Sequence, residues 1–545
     1  MNSLMIKLRF VIIFIFLSSF AVSQNVYELR DYKLSTKDFT KYQSKRLLKD
    51  NILVTVTPNT SKYPISNFIT DVIFAGDTVW FATGSGIMRT IDNFQNFQNY
   101  FGIQPFDEDD VSGLIVNTNV VVVSTAISQE IGSEFIPVGT GFKVSTDYGL
   151  NWESYPPSMD AQSDTVVVYG SNTLSALPIT VPQENISYDI AVTKTQNDTN
   201  NFTIWITSKS GGVRKSTNYG NSWQRVVLPP DNLDSIYITG TGYTFSLNPN
   251  TNLNHRAFTI EAVNDSTIYV GTADGINKSS DWGKSWRKYN FQNSGTGTNR
   301  VSGNFVVNLH VQRYNGNEIL WAATRKAEDL LEVYAISYTS NGGLNWAYTL
   351  NDISPNGVSS KDSIVYALTD EGIWRGNFGI FDWTKPGLIV DEETNDVLHT
   401  QYFYSGNHSN DTLYIGSADG LCKTIEFGQP WVGKWKIFRA ISPINLSSDL
   451  KTYAAPNPFA PDDEVVRIFY KTGKSPSKIT IRVFDFGMNP VRTVIQNATR
   501  HNPDELFTQW DGKNDNGYQV ANGVYFYRIE VEGDDDVWGK IIVLQ

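Results

Sequence analysis

Three acidic residues are candidates for one kind of chemistry, the hydrolysis of a glycosidic bond. This reaction requires two carboxyl groups on either side of a cleft, one acting as acid and the other as base or nucleophile. The candidates are Asp189, Glu261 and Glu332. Their spacing favours no pair among them, so the catalytic residues stay unknown at this level.

Signatures of other chemistry are missing from the sequence. There is no zinc-protease, phosphate-loop, Gly-x-Ser-x-Gly or Cys-x-x-Cys motif, and the five histidines lack metal-site spacing. Three acidic runs, 107–110, 462–464 and 534–536, carry hard oxygen ligands. None matches a calcium loop, and runs of charge are usually solvated. The sequence therefore predicts no cofactor and no metal site.

The elements that must position these residues repeat along the chain. An eight-residue pattern, which we call the box, occurs four times with Ser or Thr first, Asp or Asn third, Gly fifth and Trp last. Its polar side chain can accept hydrogen bonds from turn amides, its glycine suits a positive φ, and its tryptophan can cover a hairpin. We therefore expect a structural role for these positions: Ser145, Asp147, Gly149, Trp152, Ser216, Asn218, Gly220, Trp223, Ser279, Asp281, Gly283, Trp286, Thr339, Asn341, Gly343 and Trp346.

Each box follows an apolar strand, a glycine turn and a short second strand, which often ends in Lys or Arg. The same lead-in precedes degenerate boxes at 90–97 and 424–431, and a remnant after Gly372. Counting these gives seven repeats, whose spacings fit four-stranded blades with loop insertions. The remnant splits the last step in two and leaves one half short for a blade. The sequence thus predicts an all-β protein with a seven-bladed β-propeller over residues 52–442.

The boxes resemble the Asp-box (BNR) repeats of sialidases, sortilin-type receptors and related secreted propellers. The resemblance implies that each box lies between the third and fourth strands of a blade, away from the central mouth. It also implies binding or glycan cleavage at that mouth. A sialidase-like site would need clustered arginines, and the candidates are Arg256, Arg300, Arg313 and Arg325. Their spacing assigns no three of them to one site.

The N-terminus predicts export. Residues 1–23 combine Lys7 and Arg9, an apolar run at 10–17 and small residues before a cleavage point between Ser23 and Gln24. The apolar run is shorter than the ~20 residues of a spanning helix, and no later segment has that character. Residues 24–51 do not repeat. The strand at 52–56 could pair with the last blade and close the ring.

The net charge limits the classes of possible partner, and the cysteine content limits disulfide formation. The formal net charge of −12 disfavours nucleic acid, whose phosphates would be repelled. Cys422 is the only cysteine, so no intrachain disulfide forms, and its apolar surroundings predict a buried, inert thiol.

The sequence pattern changes after the predicted propeller. Residues 443–454 are typical of a linker, and 455–545 show alternating strands with glycine-rich hairpins, which predicts an Ig-like β-sandwich. Through 510–517 and 523–528 the segment resembles the Ig-like domain of the flagellar hook-capping protein. Through 456–459 and 540–545 it resembles the type A sorting domain of the type IX secretion system. This resemblance implies recognition by the secretion machinery and delivery to the outer surface.

The interpretation favoured by the sequence is a secreted or cell-surface propeller that binds an extracellular protein or glycan. An Asp-box glycoside hydrolase and a structural envelope component are the alternatives. Loop aromatics could stack on a sugar or a partner, or else pack between blades. They are Tyr243, Phe291, Tyr402 and Tyr404.

Overall fold

A computed structural model gives the architecture of most of the chain. The predicted signal peptide, nearly all of 24–51 and most of the predicted linker lie outside the described residues. Those residues are 34, 53–131, 134–394, 396–398, 400–440, 451–461, 465–474, 477–500 and 505–544.

The described residues form β-strands and a single 3₁₀ turn at Leu253–His255, so the predicted all-β class is confirmed. Two short strands come first, and seven sheets, numbered here as blades 1 to 7, follow up to residue 440. The two short strands are β1 (Val54–Thr55) and β2 (Asn59–Ser61). Blade 1 contains β3 (Ile69–Ala75), β4 (Thr78–Thr83), β5 (Gly86–Thr90) and β6 (Phe97–Asn99), and blade 2 contains β7 (Asp110–Asn117), β8 (Val120–Ile131), β9 (Glu134–Ser145) and β10 (Asn151–Tyr155). A hairpin of β11 (Val166–Tyr169) and β12 (Asn172–Ser175) follows, and blade 3 contains β13 (Asp189–Thr195), β14 (Asp198–Ser208), β15 (Gly212–Ser216) and β16 (Gln224–Arg225).

The remaining blades have the same order of strands, except that blade 6 has three strands rather than four among the described residues. A short strand, β17 (Ser235–Ile236), precedes blade 4, which contains β18 (Ala257–Ala262), β19 (Ile268–Thr272), β20 (Gly275–Ser279) and β21 (Trp286–Tyr289). Blade 5 contains β22 (Phe305–Tyr314), β23 (Asn317–Arg325), β24 (Ala335–Thr339) and β25 (Ala347–Thr349), and blade 6 contains β26 (Pro355–Lys361), β27 (Ile364–Thr369) and β28 (Gly372–Asn377). Blade 7 contains β29 (Phe403–Ser409), β30 (Thr412–Ser417), β31 (Gly420–Ile425) and β32 (Lys436–Phe438).

The first strands of the blades form a closed ring. Within each blade the chain runs outward through antiparallel neighbours. Each first strand also contacts the first strand of the next blade, in the order β3, β7, β13, β18, β22, β26, β29 and back to β3. This arrangement is consistent with the predicted seven-bladed propeller.

Side chains from neighbouring blades satisfy backbone groups on the inner strands. Asp189 Oδ2 in blade 3 accepts a hydrogen bond from Ile260 N in blade 4 at 3.0 Å. Thr259 Oγ1 in blade 4 accepts one from Leu309 N in blade 5 at 3.1 Å. The inner strand has no further strand beside it, so these bonds pair amides that would otherwise be unsatisfied.

The predicted closure of the ring by the strand at 52–56 is wrong. β1 pairs instead with the outer strand of blade 2, where Val54 lies opposite Trp152, and β2 covers the outer strand of blade 1. Both short strands thus pair with the outer edges of blades 1 and 2 and do not join blade 7. Blade 7 is complete within residues 403–438, and Asn407 Nδ2 donates to Val72 O across the seam at 3.0 Å.

The boxes stabilise the turns between third and fourth strands in blades 2 to 5. In blade 2, Ser145 Oγ donates to Asp147 Oδ1 at 2.8 Å and accepts from Gly149 N at 2.9 Å. Asp147 Oδ1 also accepts from Asn151 N at 2.9 Å, and Trp152 Nε1 donates to Gly149 O at 3.0 Å. The other three boxes repeat the bonds between their first, third and fifth residues. The four glycines have φ values of 73° to 100°.

The two degenerate boxes depart from this geometry in different ways. In blade 1, Thr90 and Asp92 keep their mutual bond at 3.1 Å, and Phe94 takes the positive φ in place of glycine. In blade 7, Glu426 replaces Asp and accepts instead from Arg375 Nε of blade 6 at 2.8 Å and from Tyr366 Oη at 2.6 Å. The substitution in blade 1 preserves the turn. In blade 7, Glu426 instead links the box to blade 6 through buried hydrogen bonds.

In blades 1, 4 and 6, a cation at the end of the third strand donates a hydrogen bond to a carbonyl in the box region of the following blade. The cation of blade 7, Lys423, instead lies 5.1 Å from the ring of Phe94 in blade 1. The hydrogen bonds are Arg89 Nη1 to Tyr148 O at 2.7 Å, Lys278 Nζ to Gly342 O at 2.7 Å and Arg375 Nη2 to Gly428 O at 3.2 Å. These contacts bind successive blades to each other at their outer side.

The C-terminal module is a pair of sheets around its own core. Its strands are β33 (Thr452–Ala455), β34 (Val466–Lys471), β35 (Ser477–Phe484), β36 (Pro490–Arg500), β37 (Glu505–Trp510), β38 (Gly523–Val531) and β39 (Val537–Val543). The sheets are β33-β34-β37 and β36-β35-β38-β39, and Ile468, Trp510 and Tyr527 are among the buried residues between them. This arrangement is consistent with the predicted sandwich.

The two segments that carry the sorting-domain resemblance lie against each other. Asn457 Oδ1 accepts from Ile542 N at 2.8 Å, and Asn457 Nδ2 donates to Lys540 O at 2.8 Å. Phe459 N also donates to Ile542 O at 3.0 Å. Residues 456–459 therefore lie alongside the last strand and form one surface with it.

Candidate functional site

Each blade presents two edges to solvent, and they differ in character. The box face carries the turns between first and second strands and the boxes themselves. The loop face carries the turns between second and third strands and the connections between blades. The largest irregular segments, including 237–252 and 290–304, belong to these connections. Function must be sought at the loop face, because the repeated boxes are elsewhere.

The candidate site is an acidic cleft on the loop face of blades 4 and 5, with a volume of about 290 Å³. Loops from several elements build it, and many of its other lining residues are asparagine or glutamine. Its acidic residues are Asp231, Asp234, Asp274, Glu328 and Glu332.

A fully buried lysine compensates part of this charge. Lys288 on β21 forms an ion pair with Asp274 and donates to Asp231 O at 2.8 Å and Pro230 O at 3.2 Å. These three bonds use all three donors of the ammonium group. Burial raises the pKa of Asp274 above its usual value, and the charge of Lys288 opposes that rise.

Two further carboxylates hold the cleft walls together. Asp231 accepts from Leu253 N and Asn254 N, both at 2.8 Å, and so fixes the 3₁₀ turn. Asp234 Oδ1 accepts from Asn293 Nδ2 at 2.8 Å. Both side chains are therefore oriented by the protein itself.

Glu332 differs from the other carboxylates. It is only 1% exposed, and its Oε2 accepts from Asn304 N at 3.1 Å and Ala327 N at 2.5 Å. Its Oε1 is buried and has no hydrogen-bond partner among the described residues. Burial raises the pKa of this carboxyl. Beside it, Leu330 and Leu331 are 99% and 75% exposed.

The three carboxylates suggested by the sequence are not brought together. Only Glu332 lines the cleft. Asp189 bonds to the neighbouring inner strand, as described above, and Glu261 lies on β18, where burial and the nearby charge of Asp189 raise its pKa to about 8. Sequence reasoning missed Asp231 and Asp234, which belong to an irregular loop. It also missed Asp274, which lies in the repeated glycine turn before Gly275 and carries no chemical signature there.

The four candidate arginines bind separate backbone carbonyls. Arg313 lies at the box-face end of β22, whereas the other three lie on the loop-face side of their blades. Their hydrogen bonds are Arg256 Nε to Pro249 O at 2.7 Å, Arg300 Nη1 to Phe291 O at 3.3 Å, Arg313 Nη2 to Val263 O at 2.6 Å and Arg325 Nε to Pro355 O at 3.0 Å. Each arginine therefore serves local structure.

The loop aromatics mostly serve packing. Phe291 and Tyr404 are buried, and the rings of Tyr404 and Phe68 lie 4.9 Å apart. Tyr243 packs against the core that joins the β11–β12 hairpin to blades 3 and 4. Tyr402 is half-buried.

The acidic runs and the cysteine have local explanations. Asp109 is buried and accepts from Thr140 Oγ1 at 2.6 Å, and Asp534 pairs with Lys474 at 3.1 Å; the run at 462–464 lies outside the described residues. Across the described residues, no cluster of three or more His, Cys, Asp or Glu side chains is arranged to hold a metal ion. Cys422 is buried as predicted, and burial raises its pKa.

Comparison with known proteins gives remote structural matches. No family model matches the chain, and no curated protein matches it. Among solved structures, the glycoside hydrolase family 74 xyloglucanase of Xanthomonas campestris is 10% identical with a TM-score of 0.45, covering 77% of this chain, which spans 60% of that enzyme. PorZ, a surface component of the type IX secretion system of Porphyromonas gingivalis, is 12% identical with a TM-score of 0.30, over 89% of this chain and 66% of PorZ. YCF48 of Cyanidioschyzon merolae is 13% identical with a TM-score of 0.37, over 69% of this chain and 98% of YCF48. Within the part of the chain that the structure describes, no helix is long and apolar enough to cross a membrane.

Proposed function

We propose that this protein is exported and acts at the cell surface or outside the cell as a binding protein, with the acidic cleft as its ligand site. The observation that carries the proposal is the state of the cleft carboxylates. Those of Asp231, Asp234 and Asp274 are already held by amides or by Lys288, whereas one oxygen of Glu332 has no partner among the described residues. Glu332 Oε1 is therefore an acceptor that a ligand donor could satisfy in this concave site.

The C-terminal module is proposed to address the protein to the surface. Its support is the pairing of 456–459 with the last strand, which gives the secretion machinery one composite surface. In this proposal residues 1–23 are removed between Ser23 and Gln24, the propeller occupies 52–442, and the linker 443–454 leads to the sorting module 455–545.

Surface delivery can be tested in a bacterium that has the type IX machinery. Deletion of residues 455–545 is expected to leave the protein in the periplasm, whereas the full chain becomes accessible to protease on intact cells. Fractionation and immunoblotting read the outcome. Normal surface delivery of the truncated chain would refute the sorting role without touching the binding role.

Glycan hydrolysis is the second candidate, and one observation favours it. Asp274 and Glu332 line one cleft, and burial raises the pKa of both, as a general acid requires. The ion pair with Lys288 argues against it, because it commits Asp274 to structure. We expect a glycan array to show binding at most, and a panel of fluorogenic glycosides and polysaccharides to show no turnover. Turnover abolished by Glu332→Gln would establish the enzyme instead.

A further inference from the structure

The cleft can accept more hydrogen bonds than it can donate. The Lys288 donors are all used, as described above. The side-chain amide of Asn290 donates to Asp274 at 3.3 Å, and that of Asn304 donates to Gln292 at 3.0 Å. Each carboxylate, by contrast, has about four acceptor sites, and the bonds described above use only part of this capacity. The cleft therefore offers acceptors in excess of donors.

The negative charge of the cleft also favours a ligand that supplies hydrogen-bond donors. Five carboxyl groups line the cleft, against one buried lysine. The unpartnered Oε1 of Glu332 is a separate observation. An unpaired polar atom in a buried position destabilises the unliganded protein. A bound donor would remove that destabilisation.

The rim adds an apolar element. Leu330 and Leu331 lie next to Glu332 on the segment between β23 and β24, and both are largely exposed. Glu332 is buried, so a bound donor reaches it only if this exposed segment shifts. An occupant that places a cation in the cleft can cover these leucines with a neighbouring apolar residue.

Resting on the proposed binding function, we propose that the cleft binds an arginine side chain of a partner protein, with an apolar residue beside that arginine packing on Leu330 and Leu331. A guanidinium group carries five N–H donors in a plane and no acceptor, which matches an acceptor-rich acidic cleft. A glycan would bring as many acceptors as donors and no positive charge. The structure thus selects a basic, partly apolar segment.

A pair of matched peptides tests this inference on the full chain. The probes are fluorescein-labelled Gly-Leu-Arg-Leu-Gly and the same peptide with citrulline, which has the shape of arginine but no charge. We expect saturable binding of the first peptide by fluorescence anisotropy, and binding of the second about tenfold weaker or less. Equal binding of the two peptides, or binding of neither, would overturn the inference.

Two substitutions with the same change in charge locate the site. Glu332→Gln is expected to weaken the arginine peptide about tenfold. Glu318→Gln is the control, because Glu318 begins β23 at the opposite, box-face edge of the same blade and is exposed. Its effect is expected to be nil. Equal effects of the two variants would show that only net charge matters, against the inference.

A third variant guards against loss of folding. Leu331→Ser changes an exposed side chain and leaves Glu332 in place, and it is expected to weaken the Leu-Arg-Leu peptide but not Gly-Gly-Arg-Gly-Gly. If Glu332→Gln fails to fold, this difference decides the question, and its absence would overturn the inference. Glycan-array binding without peptide binding would sink the arginine assignment alone. Loss of both would remove the proposed function as well.

Discussion

The third residue of the box shows how one side chain determines a turn. The same oxygen accepts from the first-position hydroxyl and from a backbone amide four residues away, whether the residue is Asp147 or Asn218. Both residue types supply this acceptor oxygen, and the second side-chain atom finds a matching partner in each case: Asp147 Oδ2 accepts from Asn151 Nδ2 at 2.6 Å, whereas Asn218 Nδ2 donates to Ser222 Oγ at 2.9 Å. This explains why the sequence alternates between them.

Substitution at this position should separate acceptor from charge. Asp147→Asn keeps the acceptor for the amides of Leu150 and Asn151 and loses only the bond from Asn151 Nδ2 to Oδ2. It should therefore lower the free energy of unfolding less than Asp147→Ala, which removes all of these partners and should lower it by about 1–3 kcal/mol. Urea denaturation of both variants measures this difference. Equal loss in the two would mean that the charge, not the acceptor, stabilises the turn.

Glu261 should make stability depend on pH. Burial, with the charge of Asp189, raises its pKa from 4.5 to about 8. The folded state therefore keeps a proton that the unfolded state has released between those values, and stability falls as pH rises across that window. Glu261→Gln should remove this slope and stabilise the protein above pH 8 by about 1–3 kcal/mol. Urea midpoints at acidic and alkaline pH test it, and parallel curves for the two proteins would contradict it.

At the scale of elements, periodicity predicted the blades but not their additions. Alternating apolar strands and glycine turns repeat, so they could be counted from the sequence. β1, β2 and β17 have only two or three residues each, too few for any pattern, and their pairing is decided by exposed blade edges. The cleft was hidden for the same reason. Glu332 was a candidate, but its neighbours come from irregular loops whose conformation depends on tertiary contacts.

The Lys or Arg that ends the lead-in was recognised in the sequence, but the carbonyl that it binds was not predicted. Lys278 bonds to Gly342 O in the next blade and lies 5.5 Å from the ring centre of Tyr269. Lys278→Met should lower the free energy of unfolding by about 1–2 kcal/mol, since the carbonyl loses a charged donor. Lys284→Met, at an exposed box position, is the matched control and should change stability by less than about 0.5 kcal/mol. Thermal or urea unfolding compares them, and similar losses would argue against a bond between blades.

At the scale of the whole molecule, the C-terminal module touches the loop face of blade 1. Arg467 Nη2 donates to Ile65 O at 2.8 Å, and Gln509 Nε2 donates to Ser85 Oγ at 3.2 Å. The module therefore shares a face of the propeller with the cleft, although it contacts a different blade.

Removing these two hydrogen bonds should uncouple the module from the propeller. Arg467→Ala combined with Gln509→Ala is expected to speed proteolysis within 443–454 on the order of tenfold, because the docked arrangement is then less stable relative to the separated one. Arg482→Ala is the control, since that side chain pairs with Glu530 on the other sheet of the module. Limited proteolysis followed by gel electrophoresis gives the rates. Equal rates for the double variant and the control would show that these bonds do not hold the module.

The ring seam between blades 7 and 1 has a consequence for the order of assembly. Every blade is built almost entirely from consecutive residues, but Asn407 meets Val72 across 335 positions of chain. Closing so long a loop is slow compared with forming a local hairpin. The blades can therefore form one after another along the chain, and the circle is completed only when the seventh docks on the first. A chain halted before that point would be an open arc, with one uncovered apolar flank at each end.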